Sequence, residues 1–176
     1  MNRRMILLAA AAATAAAAAT AAGPALAQAQ QSGEAETTHA NKTAQIGGAS
    51  LTMANLALDK ASSPKVKEFA QFEHNEQTLA GAILKSMDPS LNPPNPPPDV
   101  AAAIDKLKQM KPGKAFDREF VTAQIQGHGL LRTIQEDYLK VGHDPDTVNT
   151  TKLILLMIGE HLALLSDLDK DRLRAL

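Results

Sequence analysis

Residues 63–87 read SPKVKEFAQFEHNEQTLAGAILKSM, and this segment decides the fold. Ser63 followed by Pro64 marks a helix start, because a serine hydroxyl can cap the first turn and proline suits the first helical position. Beyond them, apolar residues recur with a helical period at Val66, Phe69, Ala80, Ile83, Leu84 and Met87. The pattern predicts an amphipathic helix over 64–87 that buries one face against other helices.

Ionisable residues interrupt the apolar faces of two predicted helices. Glu73 and Glu76 lie near the centre of the face on the helix over 64–87. On a helix predicted over 145–172, His161 lies at the midline of the stripe formed by Leu153, Met157, Leu164 and Leu168. A buried charge is costly unless it is paired, hydrogen-bonded or bound to a metal. These three residues are therefore the first candidates for a functional site.

The remaining helices are recognised from their start and stop signals. A first helix is predicted over 41–60, a short helix over 99–110 and a third long helix over 115–141, before Gly142. The segment 89–98 holds six of the ten prolines, so it is predicted to be an extended connection. No alternating strand pattern is found. We predict an all-α, antiparallel four-helix bundle over 41–174, with a short extra helix after the proline-rich loop.

The N-terminal residues have the pattern of an export signal. Arg3 and Arg4 precede an alanine-rich apolar run over 5–22, and Ala25-Leu26-Ala27 resembles a cleavage site. We predict a cleaved signal peptide over 1–27, a disordered leader over 28–40, and a mature protein in the periplasm or secreted. An uncleaved membrane anchor is the alternative, and both the general secretory and the twin-arginine route stay open. We expect no membrane span in the mature protein.

Composition excludes several classes of function. The formal net charge is -1, which gives no electrostatic basis for binding nucleic acid. There is no cysteine, so a thiolate nucleophile, a thiolate ligand and a disulfide are all excluded. The serines lack a nucleophile-elbow context, and no glycine-rich phosphate loop follows a strand. The sequence favours a non-catalytic protein, and it leaves open a protein partner, a homo-oligomer or an interaction module that uses the proline-rich loop.

The polar residues on the apolar faces allow two hypotheses. One is a divalent metal site for zinc, iron, manganese or copper, in a metal-binding protein or a metal-dependent oxidoreductase. Its candidate ligands are Glu73, Glu76, His128 and His161, with Gln77 and Glu160 beside them. The other, which the sequence favours, is a structural polar cluster of the same residues. A ferritin-type dimetal centre needs Glu-x-x-His motifs and bridging carboxylates from further helices, and we expect neither in this chain.

Three further histidines are expected to play no part in the site. His74 points away from the apolar face of its helix and is predicted to be exposed. His39 and His143 each lie beside a predicted helix boundary, where capping or solvation accounts for them.

Several short motifs carry a family resemblance. They are Gly47-Gly48, PKVKEFA over 64–70, FDREF over 116–120 with His128 twelve residues after Phe116, and Glu160-His161-Leu162. With these motifs the chain resembles, over about 43–168, the exported ferritin-like helical family catalogued as domain of unknown function 4142. The resemblance implies a ferritin-like bundle.

The chain also differs from the pattern of that family at named positions. Family members typically carry an Asp-His pair on the second and third helices and Glu-His on the fourth. Here Gln77 takes the place of the first histidine, and Gly127 takes the place of the acid before His128. Ser50 and Thr52 stand on the first helix where acids are common. The resemblance therefore implies a site that keeps two histidines and loses acidic ligands.

Overall fold

The computed structural model describes the backbone of residues 22–174 and the side chains of residues 33–170. It contains five helices, α1 (Ala22–Lys60), α2 (Pro64–Met87), α3 (Pro98–Gln109), α4 (Lys114–Tyr138) and α5 (Pro145–Arg174). Residues 22–174 form no strand. Each long helix runs antiparallel to the helices it packs against, α1 to α2 and α4, and α4 to α5. The Gly113 N–H at the start of α4 donates to the Lys60 carbonyl at the end of α1 at 3.2 Å, so α2 and α4 run in the same direction. α3 is the short extra helix after the proline-rich loop. The predicted all-α four-helix bundle is confirmed.

The long helices pack unevenly around the core. α1 packs along both α2 and α4, α4 packs along α5, and α3 covers the outside of α1 and α4. In contrast, α2 and α5 are neighbours that contact each other little, and the space between them is called the α2–α5 seam below. Three phenylalanines are buried in the core, and the ring of Phe120 lies beside the rings of Phe69 and Phe116. The core is therefore closed on three sides and thin along the fourth.

The helices α2 and α5 begin at the capping residues that the sequence predicts. The Ser63 side chain accepts a hydrogen bond from the Val66 backbone N–H at 3.5 Å, and Pro64 is the first residue of α2. Asp144 caps α5, since its Oδ2 accepts from the Thr147 N–H at 2.8 Å. Both caps satisfy backbone donors that a helix leaves unpaired at its first turn.

The N-terminal part of α1 differs from the prediction of a disordered leader over 28–40. α1 continues through this range, and the end of the range is packed against the bundle. His39 is 3% exposed, and its ring stacks on Tyr138 with 4.2 Å between ring centroids. Ala40 packs with Leu84 and Leu91. These contacts come from residues distant in sequence, so local composition could not reveal them. The predicted signal peptide, 1–27, lies outside the described side chains, and residues 1–21 lie outside the described backbone.

The apolar face predicted for α5 is rotated from the face that the fold buries. Leu153 is 64% exposed and Leu164 is 48% exposed, although both were expected in the core. Among its described side chains, the buried residues of this helix are Thr147, Thr151, Ile158, His161 and Leu165. Leucine, isoleucine and methionine fill all of 153–158, so the apolar period cannot select a face.

The same composition makes α5 resemble a membrane span. Among the described residues, Pro145–Lys170 is the one helical stretch that is long and apolar enough to cross a membrane, and its mean hydropathy is 1.3. Core helices of bundles pass the same test, and α5 contributes His161 and Leu165 to the core. Length and composition alone are weak evidence for a span, and 22% of this apolar stretch is buried, so α5 leaves much apolar surface exposed.

The proline-rich connection over 88–97 forms neither helix nor strand, as predicted, and it is attached to the bundle at two points. Leu91 is buried against Ala40 and Leu84, and its carbonyl accepts from Lys85 Nζ at 3.0 Å. The Asn95 carbonyl accepts from the Gln45 side chain on α1. Whether this loop binds a partner stays a prediction.

Replacing Gly142 by alanine should destabilise the turn between α4 and α5 by about 2 kcal/mol, because an added Cβ forces overpacking. That Cβ would lie 2.1 Å from Cζ of Tyr138, whose ring cannot retreat because it is stacked on His39. Gly129→Ala in α4 is the matched control, since nothing lies within 4 Å of its added Cβ. Urea unfolding measures the stability of both variants. Equal changes in the free energy of unfolding would contradict a steric clash at Gly142.

Candidate metal centre

Glu73 is the most deeply buried carboxylate of the bundle core. It lies at the middle of α2 and its side chain is 0% exposed. Ser50 Oγ on α1 lies 2.6 Å from Glu73 Oε1 and donates to it. The other oxygen, Oε2, is buried without a well-aligned hydrogen bond. An unsatisfied carboxylate oxygen in a core is costly, so Oε2 requires a positive partner.

Two imidazoles face this orphan oxygen. Nε2 of His128, on α4, lies 3.3 Å from Glu73 Oε2, and Nδ1 of His161, on α5, lies 3.0 Å from it. The two ring nitrogens are themselves 3.0 Å apart. His128 is 1% exposed and His161 is 5% exposed, so the group is shielded from water. Three helices thus bring three metal-ligating atoms together in the core.

The outer partners of each ring determine which nitrogen carries the proton. His128 Nδ1 lies 2.8 Å from the Gln124 carbonyl, which can only accept, so the proton is on Nδ1 and Nε2 has a lone pair. His161 Nε2 lies 2.7 Å from Glu76 Oε2, which favours a proton on Nε2 and leaves a lone pair on Nδ1. With neutral imidazoles, three lone-pair atoms would face one another. A cation between them, a proton or a metal ion, relieves that repulsion.

Glu76 lies at the edge of the cluster and is half-buried. Its side chain is 33% exposed, and its Oε2 is close to His161 without forming an aligned hydrogen bond. Burial raises the pKa of Glu76, with the neighbouring Glu73 acting in the same direction and His161 opposing them. Glu76 therefore occupies the position of a carboxylate that orients a ligating histidine from behind.

The charges in the cluster depend on one another. Burial alone would raise the pKa of Glu73, but its contacts with His128 and His161 outweigh burial and hold the pKa well below its usual range. Burial alone would lower the pKa of His161, but Glu73 and Glu76 outweigh burial and raise it. Without a metal, an anionic Glu73 and a protonated His161 form a buried ion pair.

The spacing of the three atoms fits a metal ion. Ligand bonds of about 2.0–2.1 Å in tetrahedral geometry place neighbouring ligand atoms about 3.3–3.4 Å apart. The observed separations of 3.0, 3.0 and 3.3 Å are close to these values, so a shift of a few tenths of an ångström would complete the geometry. Phe69 packs edge-on against His161, with 5.2 Å between ring centroids, and helps to fix that ring.

The structure separates the predicted site residues into two groups. Glu73, His128 and His161 come together as potential ligands, with Glu76 behind His161. Gln77 points instead to α1, where its Oε1 lies against Gly47. Glu160 is exposed on α5 and acts on His161 only through its charge. His74 is half-buried rather than exposed, and its Nδ1 lies 2.8 Å from Asn55 Oδ1, away from the cluster.

Sequence reasoning missed two residues that support the site. Ser50 binds Glu73, and Gln124 donates from Nε2 to the Ser50 carbonyl at 3.3 Å. Both are buried, at 1% and 0% exposure. A serine and a glutamine at helical core positions were the available signal, since buried polar side chains are nearly always hydrogen-bonded.

A second polar group near the start of α1 was also missed. Glu36 and His39 form a Glu-x-x-His motif that the expected leader concealed. Glu36 Oε1 accepts from the Tyr138 hydroxyl at 2.7 Å, and burial lowers the pKa of His39, whose Nε2 lies 2.7 Å from Gln135 Oε1. His39 lies about 16 Å along α1 from Ser50, at 1.5 Å per residue, so this motif is not part of the metal centre.

The comparisons with known proteins agree with this fold. A family model described as "Domain of unknown function (DUF4142)" matches residues 9–168. The chain belongs to the DUF4142 family. The crystal structure of a DUF305 fragment from Deinococcus radiodurans is similar with a TM-score of 0.68 and 16% sequence identity. The match covers 77% of this chain and 96% of that chain, and at this identity it shows the fold alone. No curated protein matches the sequence.

The residues of the FDREF motif, over 116–120, make structural contacts. Phe116 and Phe120 belong to the core, and Asp117 joins α4 to the turn between α1 and α2. Its Oδ1 accepts from the Ser62 N–H at 2.8 Å and its Oδ2 from the Ser63 N–H at 3.0 Å. These contacts give the motif a structural role, separate from the group of Glu73, His128 and His161 that could hold a metal ion.

Proposed function

We propose that this DUF4142 protein binds one divalent transition-metal ion through Glu73 Oε2, His128 Nε2 and His161 Nδ1. The observation that supports the proposal is the convergence of these three atoms, 3.0–3.3 Å apart, on a buried site where Glu73 Oε2 lacks a hydrogen-bond partner. Supporting contacts to Gln124, Ser50 and Glu76 orient the ligands from outside, as in established metal sites.

The ligand set favours zinc or ferrous iron. Two imidazoles with one carboxylate form catalytic zinc sites and the facial triad of non-haem iron proteins. Both kinds of site leave at least one coordination position for water or another ligand. Manganese and copper accept the same donors and belong in the same test.

The metal would link helices that the fold alone joins weakly. Glu73 is on α2 and His161 is on α5, across the seam where these helices contact each other little. We therefore propose a metal-binding role without catalysis, in which the ion holds α5 to α2. The signal peptide predicted over 1–27 would deliver this protein to the periplasm, where the ion would be acquired or retained.

Purified protein should contain about one zinc or iron ion per chain, and His161→Ala should weaken metal binding at least ~100-fold, because it removes one of three protein ligands. Elemental mass spectrometry gives the content, and calorimetric titration of metal-free protein with Zn²⁺ or Fe²⁺ gives the affinity. His74→Ala is the matched control, since this histidine neighbours Glu73 in sequence and lies outside the cluster.

Two results would overturn the proposal. One is metal-free protein that binds none of Zn²⁺, Fe²⁺, Mn²⁺ and Cu²⁺ at micromolar concentration. The other is equal metal affinity in the His161 and His74 variants. Loss of thermal stability in His161→Ala, without any dependence on metal, would instead identify a structural polar cluster.

A further inference from the structure

Exposed apolar side chains lie on both helices that border the α2–α5 seam. On α5, the exposed fractions are 64% for Leu153, 61% for Leu156 and 48% for Leu164. On α2, the exposed large apolar side chains are Phe72, Leu79, Ile83 and Met87. Among the described residues, the other exposed large apolar side chains are Leu130 and Val141, on α4 and the turn after it. Exposed apolar residues are therefore concentrated on two neighbouring helices.

The size of this surface is that of a protein interface. At about 150–250 Å² for a large apolar side chain, the seven residues expose roughly 600 Å² of apolar area. Monomeric proteins rarely expose a larger contiguous patch. A standard interface buries about 800 Å² on each partner, of which somewhat more than half is apolar. The seam thus has the apolar area that one side of a stable dimer requires.

Charges on α5 are arranged for pairing with a copy of itself. Lys152 and Glu160 are both exposed, and they lie four residues before and four residues after Leu156. At about 100° per residue, all three share one face of the helix. In an antiparallel pair of α5 helices with the two-fold axis at Leu156, Lys152 of each copy would face Glu160 of the other. Ala163 lies on the same face and permits close approach of the helices.

We infer that the protein forms a two-fold symmetric homodimer in which the α2–α5 surfaces pack together, with α5 antiparallel to its copy. An isologous interface needs one self-complementary patch, and the Leu156 face provides apolar and ionic complementarity at once. Helices that lie on membranes are instead rich in lysine and arginine on their polar face. α5 has four basic residues, Lys152, Lys170, Arg172 and Arg174, against five acidic residues, Asp146, Glu160, Asp167, Asp169 and Asp171, so its polar face is not rich in positive charge. This balance favours a second copy over a lipid surface.

The purified protein should sediment as a dimer, and Leu156→Glu should raise the dimer dissociation constant at least ~100-fold, since it places two like charges in a dry interface. Lys152→Glu and Glu160→Lys should each weaken the dimer by creating like-charge contacts. The double variant Lys152→Glu/Glu160→Lys should restore it, because the exchanged charges pair again across the axis. Sedimentation equilibrium over a range of concentrations measures the wild type and all four variants.

Val141→Glu is the matched control, because Val141 is 56% exposed and lies outside the seam. It should sediment as wild type, and circular dichroism should show each variant to be folded. The inference is overturned by a monomeric wild-type protein, whether or not it binds phosphatidylglycerol vesicles. It is also overturned by a dimer that persists in Leu156→Glu, or by charge exchange that gives no restoration. Metal content, measured in parallel, reports separately on the proposed metal site.

Discussion

Replacing Glu73 by alanine is expected to reduce the free energy of unfolding by about 3 kcal/mol, because it breaks a buried ion pair by removing one partner. Glu73 is 0% exposed and its carboxylate contacts Ser50, His128 and His161. Without it, a charged His161 would lose its buried counter-ion, and the Ser50 hydroxyl would lose its acceptor. Metal binding should also fall at least ~100-fold, since one of three ligands is missing.

Glu76→Gln is the comparison that isolates the role of Glu73. Glu76 contacts the outer nitrogen of His161 and its side chain is 33% exposed, so its loss should cost much less stability. Metal affinity should fall by about 10-fold to 100-fold, as for other groups that orient a ligating histidine. Urea unfolding of metal-free protein and calorimetric titration separate the two effects. Glu73→Ala with wild-type stability would show that the cluster is unimportant to the fold.

Asp117→Ala should destabilise the protein by about 3 kcal/mol, because it removes a buried carboxylate that accepts three charge-assisted, partly buried hydrogen bonds. Asp117 is 8% exposed and accepts from the backbone N–H groups of Ser62 and Ser63 and from the Ser62 hydroxyl, at 2.6–3.0 Å. These bonds fix the turn from which α2 begins. Their loss should loosen the register of α2 and with it the position of Glu73.

Asp105→Ala is the matched control for that measurement. Asp105 is an exposed aspartate whose side chain pairs with Lys108, at 65% and 54% exposure, and such pairs contribute little. Its removal should change the stability by less than about 0.5 kcal/mol. Denaturant unfolding compares the two variants, and equal losses would contradict a special role for Asp117.

Ser50 is the reason to expect one metal ion, rather than a bridged pair, in the proposed site. The resemblance to DUF4142 proteins places acids near this point of the first helix, where this chain has Ser50. Ser50 contacts Glu73 directly, so an acid here would add a carboxylate to the cluster. A serine supplies a hydrogen bond in its place. The cluster therefore holds one carboxylate and two imidazoles, which suits a single ion better than a bridged pair.

Much of the fold could be predicted from local sequence. Ser63 with Pro64 and Asp144 with Pro145 mark the starts of α2 and α5, because capping and proline act within one helical turn. Six prolines over 89–98 exclude a helix there for the same local reason. The burial of Glu73 and His161 was also predicted, from the positions that these residues take on an apolar stripe.

The tertiary structure alone decided the rest. It extended α1 through His39, because stacking on Tyr138 supplies the stabilisation that local composition lacks. In α5 it buried Ile158 and Leu165 and left Leu153 and Leu164 exposed. Where apolar residues occur around the whole helix, the buried face is determined by the packing of the neighbouring helices. It also brought Glu73, His128 and His161 within 3.3 Å of one another. A helical period places a residue on a face, but distances between helices depend on how the faces pack together.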